Sequence, residues 1–144
     1  MIIDINVLMY LTHKRYSQNP KLLDWFNAVL DNKIRIGIPY MSILGLVRLS
    51  MNSKVIAVPL SPQQAMAVAR QFLGLPHVWT PEPQDGFDEI LTKLMVDYHL
   101  TNPNNVMDAY IAALCIQNSV PMVTCDTGFR KFRELHVIDP TIEK

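Results

Sequence analysis

Short apolar runs recur along the whole chain, each followed by a stretch with helical spacing, and this alternation most limits what the chain can fold into. Ile2-Ile3 reads as a strand start, and from Asn6 to His13 the pattern turns helical. A break follows at Ser17-Gln18-Asn19-Pro20. Leu22, Trp25, Phe26, Val29 and Leu30 then share one face of a second helix. Ile34, Ile36 and Ile38 alternate with Arg35 and Gly37, a period-two strand closed by Pro39. Ser42 to Met51 has helical apolar density and ends at Asn52-Ser53-Lys54. Ser61-Pro62 is an N-cap with proline at the first helical position, leading through Ala65, Val68, Ala69 and Phe72. Val78-Trp79 is a short strand, Pro81-Glu82-Pro83 a loop, and a helix follows near Phe87–Tyr98. After Asn102-Pro103-Asn104-Asn105, the stripe Ala109, Ala112, Ala113 and Ile116 suits a helix lying close on a sheet. Pro121–Thr124 and His136–Ile138 are the last strands, separated by a turn at Asp126-Thr127-Gly128.

Strands separated by helices require crossover connections, hence a mostly parallel sheet covered on both faces. The expectation is one α/β domain over residues 1–144, an α/β/α sandwich. Ligands in such sheets bind beyond the carboxyl ends of the strands. A chain of 144 residues can bury roughly 68–70% of its unfolded surface, so it needs no disulfide or structural metal to fold. Its longest apolar runs, Met41–Leu49 and Ala109–Ile116, are far shorter than the roughly 20 residues of a membrane span. The opening has no secretory pattern, and the two cysteines, Cys115 and Cys125, stand outside any metal-ligand spacing. Both are expected to be buried, reduced thiols in a cytoplasmic protein. Thirteen basic residues balance thirteen acidic ones, which argues against indiscriminate nucleic-acid binding and leaves only a local patch.

Three acids fall at element ends. Asp4 follows the first strand with Asn6 two residues on, Asp126 follows the strand Met122–Thr124, and Asp108 lies three residues after Asn105, an apparent N-cap. Each has a purely local reading: Asp4 or Asn6 can cap the first helix, Asp108 can be the third residue of a capping box, and Asp126 can open a turn. Asp4 stands out, because an acid directly after two isoleucines is costly to hold near a core unless its charge is compensated. A divalent cation shared among several carboxylates would compensate it.

The segments Ile2-Ile3-Asp4-Ile5-Asn6, Asp108-Ala109-Tyr110-Ile111-Ala112-Ala113-Leu114 and Val123-Thr124-Cys125-Asp126-Thr127-Gly128-Phe129, in this order and spacing, resemble the signature segments of PIN-domain proteins, in the branch of VapC-type toxins of toxin–antitoxin modules. The resemblance spans essentially the whole chain. It implies a Mg²⁺- or Mn²⁺-dependent ribonuclease acting on structured RNA, with Asp4, Asp108 and Asp126 as metal-holding catalytic acids. It also implies a cognate antitoxin as partner and a homodimer. One position departs from the pattern: a glutamate is usual three residues after a serine or threonine on the helix beyond the second strand, and after Ser42 that position is Gly45. The alternative is therefore a non-catalytic RNA- or protein-binding module on the same fold.

Asn6, Ser42 and Thr124 are candidates to orient the carboxylates or a bound water. Arg48 is a candidate for pairing with a site carboxylate or a phosphate, or else projects from an amphipathic helix. Arg130, Lys131 and Arg133 are candidates for the local phosphate patch, or else belong to a solvated turn. Trp25 is expected in the core and Trp79 at an exposed partner surface. The span from about Leu60 to Leu100 carries hydrophobic faces without chemistry and is assigned to partner or dimer contacts. A phosphoryl-receiver reading fails for want of paired aspartates and a placed lysine, and a dinucleotide fold for want of GxGxxG.

Overall fold

A computed structural model describes residues 1–13 and 20–142. Five parallel strands form one sheet in the order β3-β2-β1-β4-β5, where β1 is Ile2–Ile3, β2 Ile36–Gly37, β3 Val78–Trp79, β4 Met122–Val123 and β5 Val137–Ile138. Between them run α1 (Ile5–Thr12), α2 (Pro20–Asp31), α3 (Tyr40–Ser50), α4 (Pro62–Leu73), α5 (Phe87–Asp97) and α6 (Asn105–Gln117), and a 3₁₀ turn spans Thr127–Lys131. The break expected at Ser17-Gln18-Asn19 lies outside the described residues.

Period-two alternation sorts the strand side chains into two cores. Ile2 and its register partner Met122 face one way, against Ala109, Ala112 and Ala113 of α6 and Phe87 and Leu94 of α5. Ile3 and Val123 face the other way, into a core built from Val7 and Leu8 of α1, Leu22 and Phe26 of α2, Ile43 and Leu46 of α3, and Ala69 and Phe72 of α4. The three alanines are fully buried, so the expected small-residue stripe does let α6 lie close on the sheet. Gly37 is needed for a similar reason, since a Cβ there would fall 2.8 Å from Ile2 Cγ1 and 3.1 Å from the Trp79 ring.

Local chemistry explains several boundaries. The Ser61 hydroxyl accepts from Gln64 N–H at 3.2 Å, and the Gln64 side chain accepts from Ser61 N–H at 2.9 Å, a closed capping box ahead of α4. The strand expected over Ile34–Ile38 is shorter than its alternation suggests. Lys33 takes a left-handed conformation (φ 55°) and Ile34 N–H donates back to Val29 O, so Ile34 closes α2 and is 40% exposed. Asn105 is the first residue of α6 and not its cap. Asn104 holds the cap position without a side-chain bond, and Asn102 Oδ1 accepts Asn104 N–H at 3.0 Å instead. Cys115 is buried, as expected, but Cys125 lies just beyond β4 and is half-buried. Trp25 too is only half-buried, beside Phe26. Trp79 is not exposed at a surface: it covers Gly37, and the Arg35 guanidinium stacks 4.4 Å from its ring centroid.

Candidate active site

Asp4 and Thr124 are brought together by the pairing of β1 with β4, whose next residues they are. Asp4 N–H donates to Val123 O at 2.9 Å, which extends the pairing one step and turns the chain into α1. As N-cap of α1, Asp4 accepts Ile5 N–H on Oδ1 at 2.7 Å, so the local capping role and a site role coexist. Its other oxygen, Oδ2, accepts from Thr124 Oγ1 at 2.8 Å.

Thr124 is the hub of this edge. It is 1% exposed, donates its one proton to Asp4, and accepts from Asn6 Nδ2 at 3.0 Å and from Asp126 N–H at 3.0 Å. Its bonding capacity is then full. Asn6 Oδ1 in turn accepts Cys125 N–H at 3.2 Å, an anchor that sequence reading did not foresee. Asp126 opens the 3₁₀ turn, with Oδ1 accepting Gly128 N–H at 2.7 Å. Asp108 sits in the first turn of α6, half-buried, and makes no hydrogen bond among the described residues, so its capping-box reading does not hold.

Asp4 and Asp108 each feel the charge of neighbouring acids. Burial pushes the Asp4 carboxyl up to about 6, against the opposing hydrogen bonds from Thr124 and Ile5, and the charges of Asp108 and Asp126 push the same way. Burial also raises Asp108, opposed by the ammonium of Lys131 and aided by Asp126. Burial lifts the thiols of Cys125 to about 11 and Cys115 to about 12, so neither is a thiolate at neutral pH.

The remaining candidates separate. Lys131 acts on Asp108 and lies 5.0 Å from the Phe132 ring centroid, whereas Arg133 places its backbone N–H on Tyr98 Oη at 2.9 Å. Tyr98 Oη donates to Glu134 at 2.6 Å, so Arg133 belongs to the α5 side. Arg130 is exposed on the 3₁₀ turn. Arg48 is exposed on α3 and pairs with none of the three acids. Ser42 is fully buried, and its Oγ has no hydrogen-bond partner among the described residues. Helical spacing puts Ser42 on the same face of α3 as Gly45 and Leu49, the face toward α1.

Gly45 is explained by packing. A Cβ there would fall 2.6 Å from Ile5 Cδ1 and 3.2 Å from Ile5 Cγ1, so Ile5 fills the space beside the position where an acid was expected. Asp139 was overlooked, although Val137-Ile138-Asp139 repeats the pattern of Ile2-Ile3-Asp4. It is buried beyond β5, and its Oδ1 accepts Thr141 N–H and Oγ1 at 2.9 and 2.6 Å.

As donors for a cation, the three carboxylates offer hard oxygens, with Asp108 uncommitted and the orphaned Ser42 hydroxyl on the neighbouring helix face. This chemistry fits Mg²⁺ or Mn²⁺ and not zinc, which favours nitrogen and sulfur. The acids are not gathered into a closed cage: among the described residues no three His, Cys, Asp or Glu side chains stand close enough to hold an ion as they are.

Comparison with known proteins agrees with the residue reading. The PIN domain family model matches residues 1–135. Ribonuclease VapC33 of Mycobacterium tuberculosis is 30% identical, with 99% of each chain covered. Ribonuclease VapC37 of the same organism is 28% identical, over 91% of this chain and 90% of its own. Among solved structures, VapBC2 from Rickettsia felis, bound to a DNA fragment from the promoter, superimposes with a TM-score of 0.67 at 18% identity, covering 95% of this chain and 96% of its own. The fold, the order of the acids and the full-length likeness agree, and the chain belongs to the PIN domain family, in the branch of VapC ribonucleases.

Proposed function

We propose that this protein is a Mg²⁺- or Mn²⁺-dependent endoribonuclease, the toxin of a toxin–antitoxin pair, which hydrolyses phosphodiester bonds in structured RNA. The observation that carries the reading is that the charges of Asp108 and Asp126 both act on the buried Asp4 at the carboxyl edge, in a chain 30% identical end to end to a ribonuclease. Asp4, Asp108 and Asp126 would hold the cation. When bound, such an ion supplies an activated water and offsets charge on the phosphate.

The chain's own residues do the positioning. Thr124 fixes the Asp4 carboxylate and, through Asn6 and Asp126 N–H, ties the Asp4–Asn6 and Thr124–Asp126 segments into one edge. Lys131 favours the ionised form of Asp108 and would offer its ammonium to an incoming phosphate. Arg130 extends that positive rim, which gives a neutral protein a local foothold on RNA without indiscriminate affinity. Loops and exposed bases suit such a foothold better than a duplex groove.

A cognate antitoxin is the partner this reading requires. Its support is the solved neighbour, a VapBC2 assembly on promoter DNA, and a surface to cover. Tyr40, Leu44 and Met51 are exposed at 48, 54 and 39% along one stripe of α3 and its C-cap. No helix among the described residues is long and apolar enough to cross a membrane.

A second reading, a non-catalytic RNA- or protein-binding module, is favoured by one observation, the occupation by Ile5 of the space beside Gly45. One experiment separates the two. Purified protein is incubated with a transfer-RNA pool with Mn²⁺, with Mg²⁺, or with EDTA, alongside Asp108→Asn. Cleavage that needs the metal and falls at least 100-fold in the variant supports the nuclease. Absence of cutting, or equal cutting by the variant, supports the module.

A further inference from the structure

Beside Asp4 the surface opens into a cleft of about 350 Å³ whose lining is mostly apolar. Ile5, Met9 and Tyr10 of α1 form one wall, Leu49 of α3 and Val55 the other, and Asp4 and Asn6 stand at its head. This volume is at the small end of ligand clefts, which run from roughly 300 to 1,000 Å³. The candidate active site and the cleft therefore share two residues and form one continuous surface.

We propose that this cleft is a nucleobase subsite: it takes one unpaired base of the RNA next to the phosphodiester that is cut, with Tyr10 as the stacking side chain. The inference rests on the ribonuclease reading and adds to it the origin of sequence preference. The Thr124 network commits one hydrogen of Asn6 Nδ2 and one lone pair of Oδ1, leaving a donor and an acceptor for a base edge at the cleft head. Apolar and aromatic walls accept the flat face of a base, and Asp4 at the same head is where the phosphate chemistry is placed. Arg48 and Lys54, adjacent in sequence to the lining residues Leu49 and Val55, are both exposed, which suits a phosphate backbone leaving the cleft on that side. An aliphatic peptide side chain would use the walls but would leave Asn6 and these cations unengaged.

The test uses the full chain with two readouts. First, a pool of hairpin RNAs with randomised loops is cut with Mn²⁺ and the product ends are sequenced. The parent should show a base preference at the nucleotide flanking the cut, and Leu49→Trp, which fills the cleft, and Tyr10→Ala should each flatten that preference about tenfold, with slower metal-dependent cutting still supplying product ends to sequence. Cutting with no flanking preference, or with a preference both variants retain, overturns the subsite and leaves the nuclease standing. Second, the parent in EDTA is titrated with dinucleoside monophosphates, following the Met9 and Leu49 methyl resonances. Shifts are expected with these probes and none with ribose 5-phosphate. If the parent cuts no RNA, the nuclease reading fails, and this titration alone decides the subsite. Shifts with aliphatic tripeptides but not with dinucleotides reassign the cleft to a protein partner and overturn the proposal.

Discussion

Replacing Asp4 by asparagine should stabilise the protein in chelator at neutral and alkaline pH, although it removes a candidate site residue. The Asp4 carboxyl is held at about 6 in the folded chain against 3.8 ordinarily. The folded state therefore binds this proton more tightly than the unfolded state. The contribution to stability is present in full below about pH 3.8 and is lost as pH rises through about 6. At about 1.36 kcal/mol per tenfold difference in proton affinity, the ionised group costs about 3 kcal/mol at pH 8. Asparagine keeps an acceptor for Ile5 N–H but turns an amide toward Thr124 Oγ1, which already accepts two bonds. The threonine proton must then turn to Asn6 Oδ1, 3.5 Å away, at a cost of about 1 kcal/mol. The net expectation is a gain of about 2 kcal/mol at pH 8 and none at pH 4, which for a chain of this size is a rise in Tm of about 4–8 °C at the higher pH. Urea denaturation of parent and variant in EDTA at both pH values measures it. A variant no more stable than the parent at pH 8, or equally favoured at both pH values, refutes the burial argument.

Thr124→Val should cost about 2–3 kcal/mol, because Asp4, Asn6 and Asp126 N–H all lose a buried partner, while Thr124→Ser should recover most of it in the same urea titrations. The Asp4 titration, followed by carboxyl NMR in Thr124→Val, should also move above about 6, since the lost hydrogen bond favours the ionised form. Gly45→Ala should destabilise by about 1 kcal/mol against Ile5, yet in an Ile5→Ala background gain about 0.5–1 kcal/mol from helix propensity. A double-mutant cycle without that reversal would dismiss the packing account of Gly45. Lys131→Gln should raise the Asp108 titration, and an unmoved carboxyl resonance would show that the two do not interact.

Much of the fold is legible in residue patterns, because alternation and helical spacing report directly which faces are buried. The Ser61 cap is a case where local chemistry alone sets the start of an element. Alternation does not report competition for hydrogen bonds, so Ile34 looks like strand although its N–H closes α2. Within the site, Asp4 is visible because an acid directly after two isoleucines is anomalous at any position. The hub role of Thr124 is less visible, since its partners lie 118 and 120 residues away. Glycine at position 45 marks a close approach, but only the packing of α3 on α1 identifies Ile5 as the neighbour. The basic run Arg130-Lys131-Arg133 looks like one patch in sequence, yet the turn sends Lys131 toward Asp108 and sets Arg133 beside Tyr98.

The central position of β1 has a consequence for biosynthesis. Ile2 and Ile3 pair with Met122 and Val123, and the Thr124 bond to Asp4 spans 120 residues. At roughly 5–20 residues per second, a ribosome takes on the order of ten seconds to travel from one to the other. Throughout that interval the nascent chain holds Asp4 without Thr124, Asp126 or the strand β4 that pairs with β1. Under the ribonuclease reading, the translating ribosome and its transfer RNAs are spared by the order of synthesis, and the earliest moment of activity coincides with the emergence of the last strands.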